Sequence, residues 1–365
     1  LNIQPIEQVQ LERYPKTNDR SLQAWSNAEL LALSYVENRE VNHIHLFNDR
    51  FGVWNCCIRN SELTTIWTYA SQQRAIRENL KSNGISPDIV LKTPLDRLEN
   101  VDLALIKVPK SLELFELFLA QIHRASTTNT EAVCCFMTKY FSKSMLRIAE
   151  KYFSDVSQSK AWKKARLLVL KSPKVASDKQ ITAFVKPVSD ILGGLQQYYG
   201  VFSSGGVDIG TQFLMDEFSL NTSEIDQPLR ALDLACGNGI LGKFLRAKSD
   251  SIAVTYVDDF NLATASAALN DSGESSEFIC ANTLEELSDN QFDLVISNPP
   301  FHFEHENNIE VSISLFKEVE RCLKPTGRFV LVANKHLNYQ THLTTIFSKV
   351  RNIAQNHKFE IYECS

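Results

Sequence analysis

At 365 residues, with 44% hydrophobic and 22% charged residues, the chain has the composition of an ordinary globular protein and the length of about two domains. It contains no run of about 18 apolar residues, which excludes a membrane-spanning helix. Its eight cysteines make no C-x-x-C spacing, which excludes the usual zinc and redox motifs. The net charge of −5 conceals a division: residues 1–190 hold 26 Lys and Arg against 20 Asp and Glu, whereas residues 191–365 hold 12 against 23. A polyanionic partner is therefore expected to meet the first half. Leu1–Arg20 shows no basic-then-apolar leader. The adjacent pairs Cys56-Cys57 and Cys134-Cys135 are expected on strands as small core hydrophobes, so the reading is a reducing, cytoplasmic location and no metal.

In chain order, the strand His43–Asn48 leads into a turn bearing Gly52, a helical stretch reaches Asn83, and strands follow at Asp102–Ile106 and Val133–Met137. Lys139 to Lys186 then carries 12 basic residues against three acids, with Tyr140, Phe141, Tyr152, Phe153 and Trp162 interleaved as candidate stacking faces for a nucleic acid. Ser172–Tyr199 lacks a clear period and contains Pro173, Pro187 and Gly193-Gly194, so the boundary is placed near residue 190. The second half reads as helix Thr211–Phe218, strand Ala231–Leu234, helix Leu241–Ala247, strand Ile252–Val257 and helix Leu262–Leu269. Strands Phe278–Cys280 and Leu294–Ser297, helix Ser312–Leu323, strand Phe329–Val332 and a final pair of strands complete it.

The two halves share this order. A constant separation of 187 residues places His43 on Arg230, Gly52 on Gly239, Thr68-Tyr69 on Thr255-Tyr256 and Asn83 on Asn270. The separation is 191 for Asp102 and Asp293, and 196 for Val133 and Phe329, as loop insertions would produce. The pattern predicts two consecutive α/β domains of one plan, 1–190 and 191–365, each with a doubly wound parallel sheet.

Asp233-Leu-Ala-Cys-Gly-Asn-Gly239 puts glycines between a strand and a helix, where backbone approaches a ligand closely at the carboxyl edge of a sheet. A dinucleotide, a nucleotide or S-adenosylmethionine would all suit that turn. Asp258, at the end of the next strand, is placed to accept ribose hydroxyls from any of them. Asn298-Pro299-Pro300-Phe301 at the end of the fourth strand is more selective. The exocyclic amine of a base is a poor nucleophile because its lone pair is delocalised into the ring. The Asn298 side-chain oxygen and the Pro299 carbonyl can accept its two hydrogens and orient the nitrogen for attack on a sulfonium methyl. The prolines stiffen the loop, and Phe301 offers a face to an unstacked base.

With these residues the chain resembles the class I methyltransferases that modify amino groups of guanine or adenine. Gly200-Val-Phe-Ser203, Val207-Asp-Ile-Gly210, His302 and Val332-Ala-Asn-Lys-His336 are similar to the bacterial ribosomal RNA guanine-N2 methyltransferases, built from a duplicated domain whose N-terminal copy has lost the cofactor. Leu22-Gln-Ala-Trp25, Arg77-Glu-Asn-Leu80, Leu105–Lys110 and Ala161–Arg166 resemble the large-subunit members, and the resemblance spans nearly the whole chain. It implies two tandem Rossmann-like methyltransferase domains, the first degenerate, and an S-adenosylmethionine-dependent enzyme without metal. The implied substrate is the N2 amine of a guanosine in protein-free 23S ribosomal RNA, and the enzyme is expected to be a monomer.

The resemblance also implies roles. Asn298 and Pro299 would be catalytic, Pro300 and Phe301 would hold the base, and Phe202, Asp233, Gly237, Gly239, Asp258 and Asn282 would bind the cofactor. Ala235 departs from the family's glycine, which is tolerable if its φ is negative. His302 is expected to pack or to touch a base edge. Lys335 and Tyr339 lie where they could touch substrate, with solvent exposure the expected fate of each. At separations of 187 and 191, Asp233 falls on Leu46, Gly237 on Arg50, Asp258 on Ser71, and Asn298–Phe301 on Lys107–Lys110. The first copy is thus expected to contact RNA phosphates through Arg50, Lys107, Lys110, Lys163 and Lys164 without chemistry of its own. Two rivals remain open: methylation of small-subunit RNA, adenine N6 or a protein glutamine by the same geometry, and an inactive RNA-binding assembly factor.

Overall fold

The structure, a computed structural model, describes the chain apart from residues 18, 20, 176–183, 204, 221–227 and 300–308. It divides into two compact units, 1–184 and 185–365. In the first unit β1 (Asn2–Ile3) and β3 (Ile58–Arg59) form a separate antiparallel pair.

That sheet is built from β2 (His43–Phe47), β4 (Glu62–Ile66), β5 (Val90–Lys92), β6 (Val101–Lys107), β7 (Ser126–Met137), β8 (Phe153–Gln158) and β9 (Ala165–Pro173) in the order β5-β4-β2-β6-β7-β9-β8. The second unit opens with a hairpin, β10 (Val185–Ser189) and β11 (Leu195–Tyr198). Its main sheet comprises β12 (Leu229–Leu234), β13 (Ile252–Asp258), β14 (Ser276–Cys280), β15 (Phe292–Ser297), β16 (Leu323–Asn334), β17 (Val350–Gln355) and β18 (Phe359–Cys364) in the order β14-β13-β12-β15-β16-β18-β17. The two orders are the same, strand for strand. In each, five strands run parallel and the last two antiparallel. The expected duplication of an α/β plan is therefore the architecture of the chain.

Central strand β12 shows why the sequence folds this way. Helices cover a parallel sheet on both faces, so both of its faces must be apolar. Leu229 and Ala231 pack on one side with Ile240, Leu241 and Leu245, and Leu232 and Leu234 pack on the other with Phe316, Val319 and Cys322. The first unit repeats this with Ile44 and Leu46 in one core. Its helix Asn27–Val36 starts at a capping box in which Ser26 accepts from Ala28 N–H at 3.3 Å and its own N–H donates to Glu29 at 3.1 Å.

Strand registers correct the sequence alignment of the halves. Phe47 pairs with Ile66 and Leu234 with Val257, so the residue equivalent to Asp258 is Trp67 and not Ser71. The connection after the glycine turn is four residues shorter in the first unit. Ile106 pairs with Cys134 and Ser297 with Leu331, a shift of one residue from the sequence alignment of that strand. Lys107 does stand at the position of Asn298. Two further expectations change. Cys56 and Cys57 are buried in a short helix, Val53–Cys57, rather than on a strand. The stretch read as aperiodic holds β10 and β11, whose alternation is interrupted by Pro187 and the paired glycines.

Candidate active site

The carboxyl ends of β12, β13, β14 and β15 converge on one edge of the second sheet. The turn after β12 runs through Ala235, Gly237 and Gly239, all at positive φ (57°, 55° and 79°). A Cβ on Gly237 would meet nothing within 4 Å, so the backbone there faces open space, as a ligand approaching it requires. Gly239 is different: a Cβ would lie 2.7 Å from that of Ala267 and 3.2 Å from the Tyr256 ring. Its lack of a side chain lets the turn pack against the next strand and helix. Ala235 has the left-handed conformation that the tolerant reading excluded, so its methyl group is strained there.

Asp258 stands half-buried at the end of β13, with Oδ2 accepting from Gly237 N–H and Oδ1 from Phe260 N–H, both at 2.9 Å. Burial pushes its carboxyl up to about 6. Ala281 N–H donates to the Asp258 carbonyl at 2.9 Å, which brings the following turn, with Asn282, to the same edge. Asp233 is fully buried beneath the turn. Its Oδ2 accepts from Gly242 N–H at 2.8 Å in the first turn of helix Ile240–Arg246, and burial pushes its carboxyl well above the usual range. Its place is under the glycine turn, not over it. Phe202 lies 69% exposed beyond buried Val201. Gln197 ties that segment to the turn, donating to Val201 O at 3.0 Å and accepting from Asn238 Nδ2 at 3.0 Å.

Asn298 follows β15 directly. Its Nδ2 donates to Asp208 Oδ2 at 3.0 Å and to Thr211 Oγ1 at 2.9 Å, across some 90 residues of sequence. Asp208 also caps helix Ile209–Glu217 by accepting from Gly210 and Thr211 N–H at 2.8 and 3.1 Å. An ionised carboxylate can only accept, so the amide must present its NH2 to Asp208. Its Oδ1 is thereby the acceptor left for another partner. In the sequence Val207–Gly210 stands out only as part of the family motif. The signal that could have found its role is an acid at a helix N-cap, but its pairing with Asn298 is visible only in three dimensions. Pro299 is buried beside Asn298, while Pro300, Phe301 and His302 lie outside the described residues.

Of the expected RNA contacts in the first unit, two change. Arg50 is 2% exposed, donates to Ser71 Oγ at 2.8 Å and lies 4.8 Å over the Tyr69 ring, so it is withdrawn from any phosphate-binding set. Lys107 pairs with buried Glu29 at 2.8 Å. Lys110, Lys163 and Lys164 are exposed. In the basic run Phe153 is buried and Tyr152 half-buried, leaving Tyr140, Phe141 and Trp162 open. Lys335 is exposed, donating to Gln355 at 3.1 Å, whereas Tyr339 is buried against Phe316. Among the described residues no cluster of His, Cys, Asp or Glu could hold a metal, and no helix is long and apolar enough to cross a membrane.

A doubly wound sheet with a glycine turn after its first strand, an acid ending the second and an Asn-Pro pair ending the fourth defines the methyltransferase class of α/β domain. Residues 2–174 match the RLMG N-terminal domain family and residues 194–363 the methyltransferase small domain family. The chain joins a degenerate copy of this kind to a methyltransferase domain, an arrangement that fits the ribosomal RNA guanine-N2 methyltransferase family. Among solved structures, T. thermophilus 16S rRNA N2 guanine methyltransferase RsmC, in complex with AdoMet and guanosine, superposes with a TM-score of 0.76 at 18% identity. The match covers 100% of this chain and 97% of that one, and shows a shared tandem fold. A TehB-like SAM-dependent methyltransferase from Corynebacterium glutamicum covers 45% of this chain and 90% of its own at 16% identity, with a TM-score of 0.34, and bears no weight. S-adenosylmethionine is the cofactor of this class. The residues present fit it: open space over Gly237, a carboxylate beside it at Asp258, and Asn282 on the adjoining turn.

Proposed function

We propose that the chain transfers the methyl group of S-adenosylmethionine to the exocyclic N2 amine of a guanosine in ribosomal RNA, with 23S RNA as the substrate. The observation that carries the reading is the clamp on Asn298, whose NH2 is held by Asp208 and Thr211. It fixes Oδ1 as the acceptor at the carboxyl edge that holds Gly237 and Asp258. When bound, S-adenosylmethionine supplies an electrophilic methyl on a sulfonium. Asn298 Oδ1 and the Pro299 carbonyl accept the two hydrogens of the amine and direct its lone pair toward that methyl. Methyl transfer would exchange the C–S bond for an N–C bond, with the neutral thioether as leaving group, and Asn298 Oδ1 would hold the proton that the positively charged product amine gives up to water. The chemistry therefore makes no demand for a strong base. Asp258 and Asn282 hold the cofactor with Phe202 beside it, and Asp233 braces the turn from below. Pro300 and Phe301 support the flipped base.

The exposed cations Lys110, Lys163 and Lys164 support RNA binding by the first unit. The resemblance of Leu22–Trp25, Arg77–Leu80, Leu105–Lys110 and Ala161–Arg166 to the large-subunit members is what favours 23S RNA as the substrate. The test is transfer of radiolabelled methyl from S-adenosylmethionine into separate pools of protein-free 23S RNA, 16S RNA, genomic DNA and release factor, with nucleoside analysis of the product. N2-methylguanosine in 23S RNA alone is expected. Label in 16S RNA would reassign the substrate, and label in DNA or protein would sink the guanine reading.

A further inference from the structure

Two segments of the first unit meet at the carboxyl end of its sheet. Met137, the last residue of β7, pairs with Ala165, the first of antiparallel β9, so the 138–143 segment leaves the sheet beside the 159–164 loop that enters it. Thr138 N–H donates to Lys164 O at 2.8 Å and joins them. Together they expose Tyr140, Phe141 and Trp162 at 37–39% and present Lys139, Lys143, Lys160, Lys163 and Lys164 to solvent, with no acidic residue in either segment. The Lys139 ammonium lies 4.6 Å from the Tyr140 ring centroid and that of Lys163 lies 4.7 Å from Trp162. Aromatic faces and cations are thus interleaved on one surface.

The turn that carries Trp162 is itself unusual. Trp162 and Ala165 exchange two backbone hydrogen bonds, of 2.9 and 2.7 Å, around Lys163 and Lys164 at φ 44° and 62°. A two-residue hairpin turn with both central residues left-handed is the kind that Asn-Gly fills without strain. Two lysines there adopt a backbone that L side chains disfavour. Asn27 Nδ2, donating to Lys163 O at 3.1 Å, and Thr138 hold them in it. Strain retained at an exposed tip points to use of the side chains rather than to architecture.

We propose that this turn and the 138–143 segment form a platform for an unpaired RNA strand, with bases stacked on Trp162 and Tyr140 and phosphates met by Lys163, Lys164 and Lys139. The exposed ring faces decide between strand and duplex: only unstacked bases can cover them, whereas a duplex offers phosphates and hydroxyls alone. The proposal rests on the reading of the chain as an RNA methyltransferase and adds the class of RNA it holds.

The full chain is titrated with two labelled probes, a mixed-sequence unpaired 12-nucleotide RNA and a duplex of the same strand, by fluorescence anisotropy. Trp162→Ala weakens the unpaired probe about tenfold, within the usual worth of one stacked base, and leaves the duplex unchanged, while Trp162→Tyr restores most of the loss. Equal loss for both probes, or none for the unpaired one, overturns the platform. The double variant Lys163→Asn, Lys164→Gly is expected to melt a few degrees higher yet bind the unpaired probe more weakly, with a salt slope shallower by about 1.4 for two lost phosphate contacts. A lower melting temperature or an unchanged slope refutes the strained-turn argument. Binding is read without methyl transfer, so the two readings fail separately. A chain that binds the unpaired probe through Trp162 but labels no RNA loses the enzymatic reading and keeps the platform, and the converse keeps the enzyme alone.

Discussion

The turns after β2 and β12 have the same length and share left-handed residues at both ends, but only the second is left-handed at its middle, at Gly237, and their contents are opposite. Asn48 and Ala235 stand at φ 58° and 57°, and Gly52 and Gly239 both at 79°. Where Gly237 leaves open space, the first unit has Arg50, whose buried guanidinium reaches Ser71 and covers Tyr69. Where Asp258 ends the second strand, the first unit has Trp67. One feature survives in both. Asp233 Oδ2 accepts from Gly242 N–H, and at the equivalent helix position Asp49 Oδ2 accepts from Asn55 N–H at 3.0 Å. The brace comes from the strand end in one copy and from the turn itself in the other. A buried carboxylate under the helix therefore belongs to the fold, whereas the open glycine, the second acid and the Asn-Pro pair occur in the second copy alone and are the groups to which the proposed function assigns the reaction.

The largest effect expected from this division is at Asn298. Asn298→Ala should lower kcat by about a thousandfold, the scale of losing one preorganised polar contact to a reacting group, while calorimetry shows S-adenosylmethionine affinity unchanged. Equal loss of both would mean that Asn298 holds the cofactor rather than the amine. Next comes a transplant: Gly237→Arg installs the first unit's residue in the second and should weaken cofactor binding at least a hundredfold with the fold intact by circular dichroism. Retained affinity would show that the open space over Gly237 is not the cofactor's. The reciprocal Arg50→Gly should gain no cofactor binding, since Trp67 still stands where Asp258 would be needed.

Sequence alone revealed the duplication because strands with two buried faces read as short apolar runs, and the glycines at 52 and 239 stand at equal separation. It misplaced the Asp258 equivalent because that separation holds through the turn and then shifts by four, a deletion that no residue type marks. Asn298 was legible from its neighbours Pro299 and Pro300, whereas its partner Asp208 was not. Arg50 and Lys107 show the same limit for charge: their number counts toward a basic half, but Ser71 and Glu29 turn them inward.

Asp208 gives a smaller effect that sharpens the account of the second copy. Asp208→Ser keeps a helix cap but cannot reach Asn298, so kcat should fall about tenfold with little change in KM. Adding Asp208→Ala to Asn298→Ala should cost nothing further in kcat if Asp208 acts through Asn298, whereas an additive loss would give it a separate role. Asp258 supplies a pH test. Its carboxyl is raised from 3.8 to about 6, so the free protein loses that contribution to stability as pH rises through this range. The ionised form is the better acceptor for ribose hydroxyls. Cofactor affinity should therefore climb by up to about tenfold per pH unit until about 6 and level off above it. Asp258→Asn should flatten the profile, and an inflection that persists in the variant would assign the proton to another group.

The smallest effect tests whether the shared backbone path is a cost in one copy and not in the other. Asn tolerates the left-handed region, and Asn48 uses it to donate from Nδ2 to Lys107 O at 2.9 Å, fastening its turn to the end of β6. Ala235 has the same φ and no side-chain polar group to repay it. Ala235→Gly should relieve the strain and, after allowance for the added freedom of the unfolded chain, stabilise the second unit by about 0.5–1 kcal/mol, a rise of roughly 1–4 °C in melting temperature. Asn48→Ala should destabilise the first unit by more than that, because it adds the strain and removes the bond at once. If both substitutions shift stability in the same direction, the two turns are not equivalent in energy, and the left-handed residue after β12 is held there by the surrounding turn at no cost to the fold.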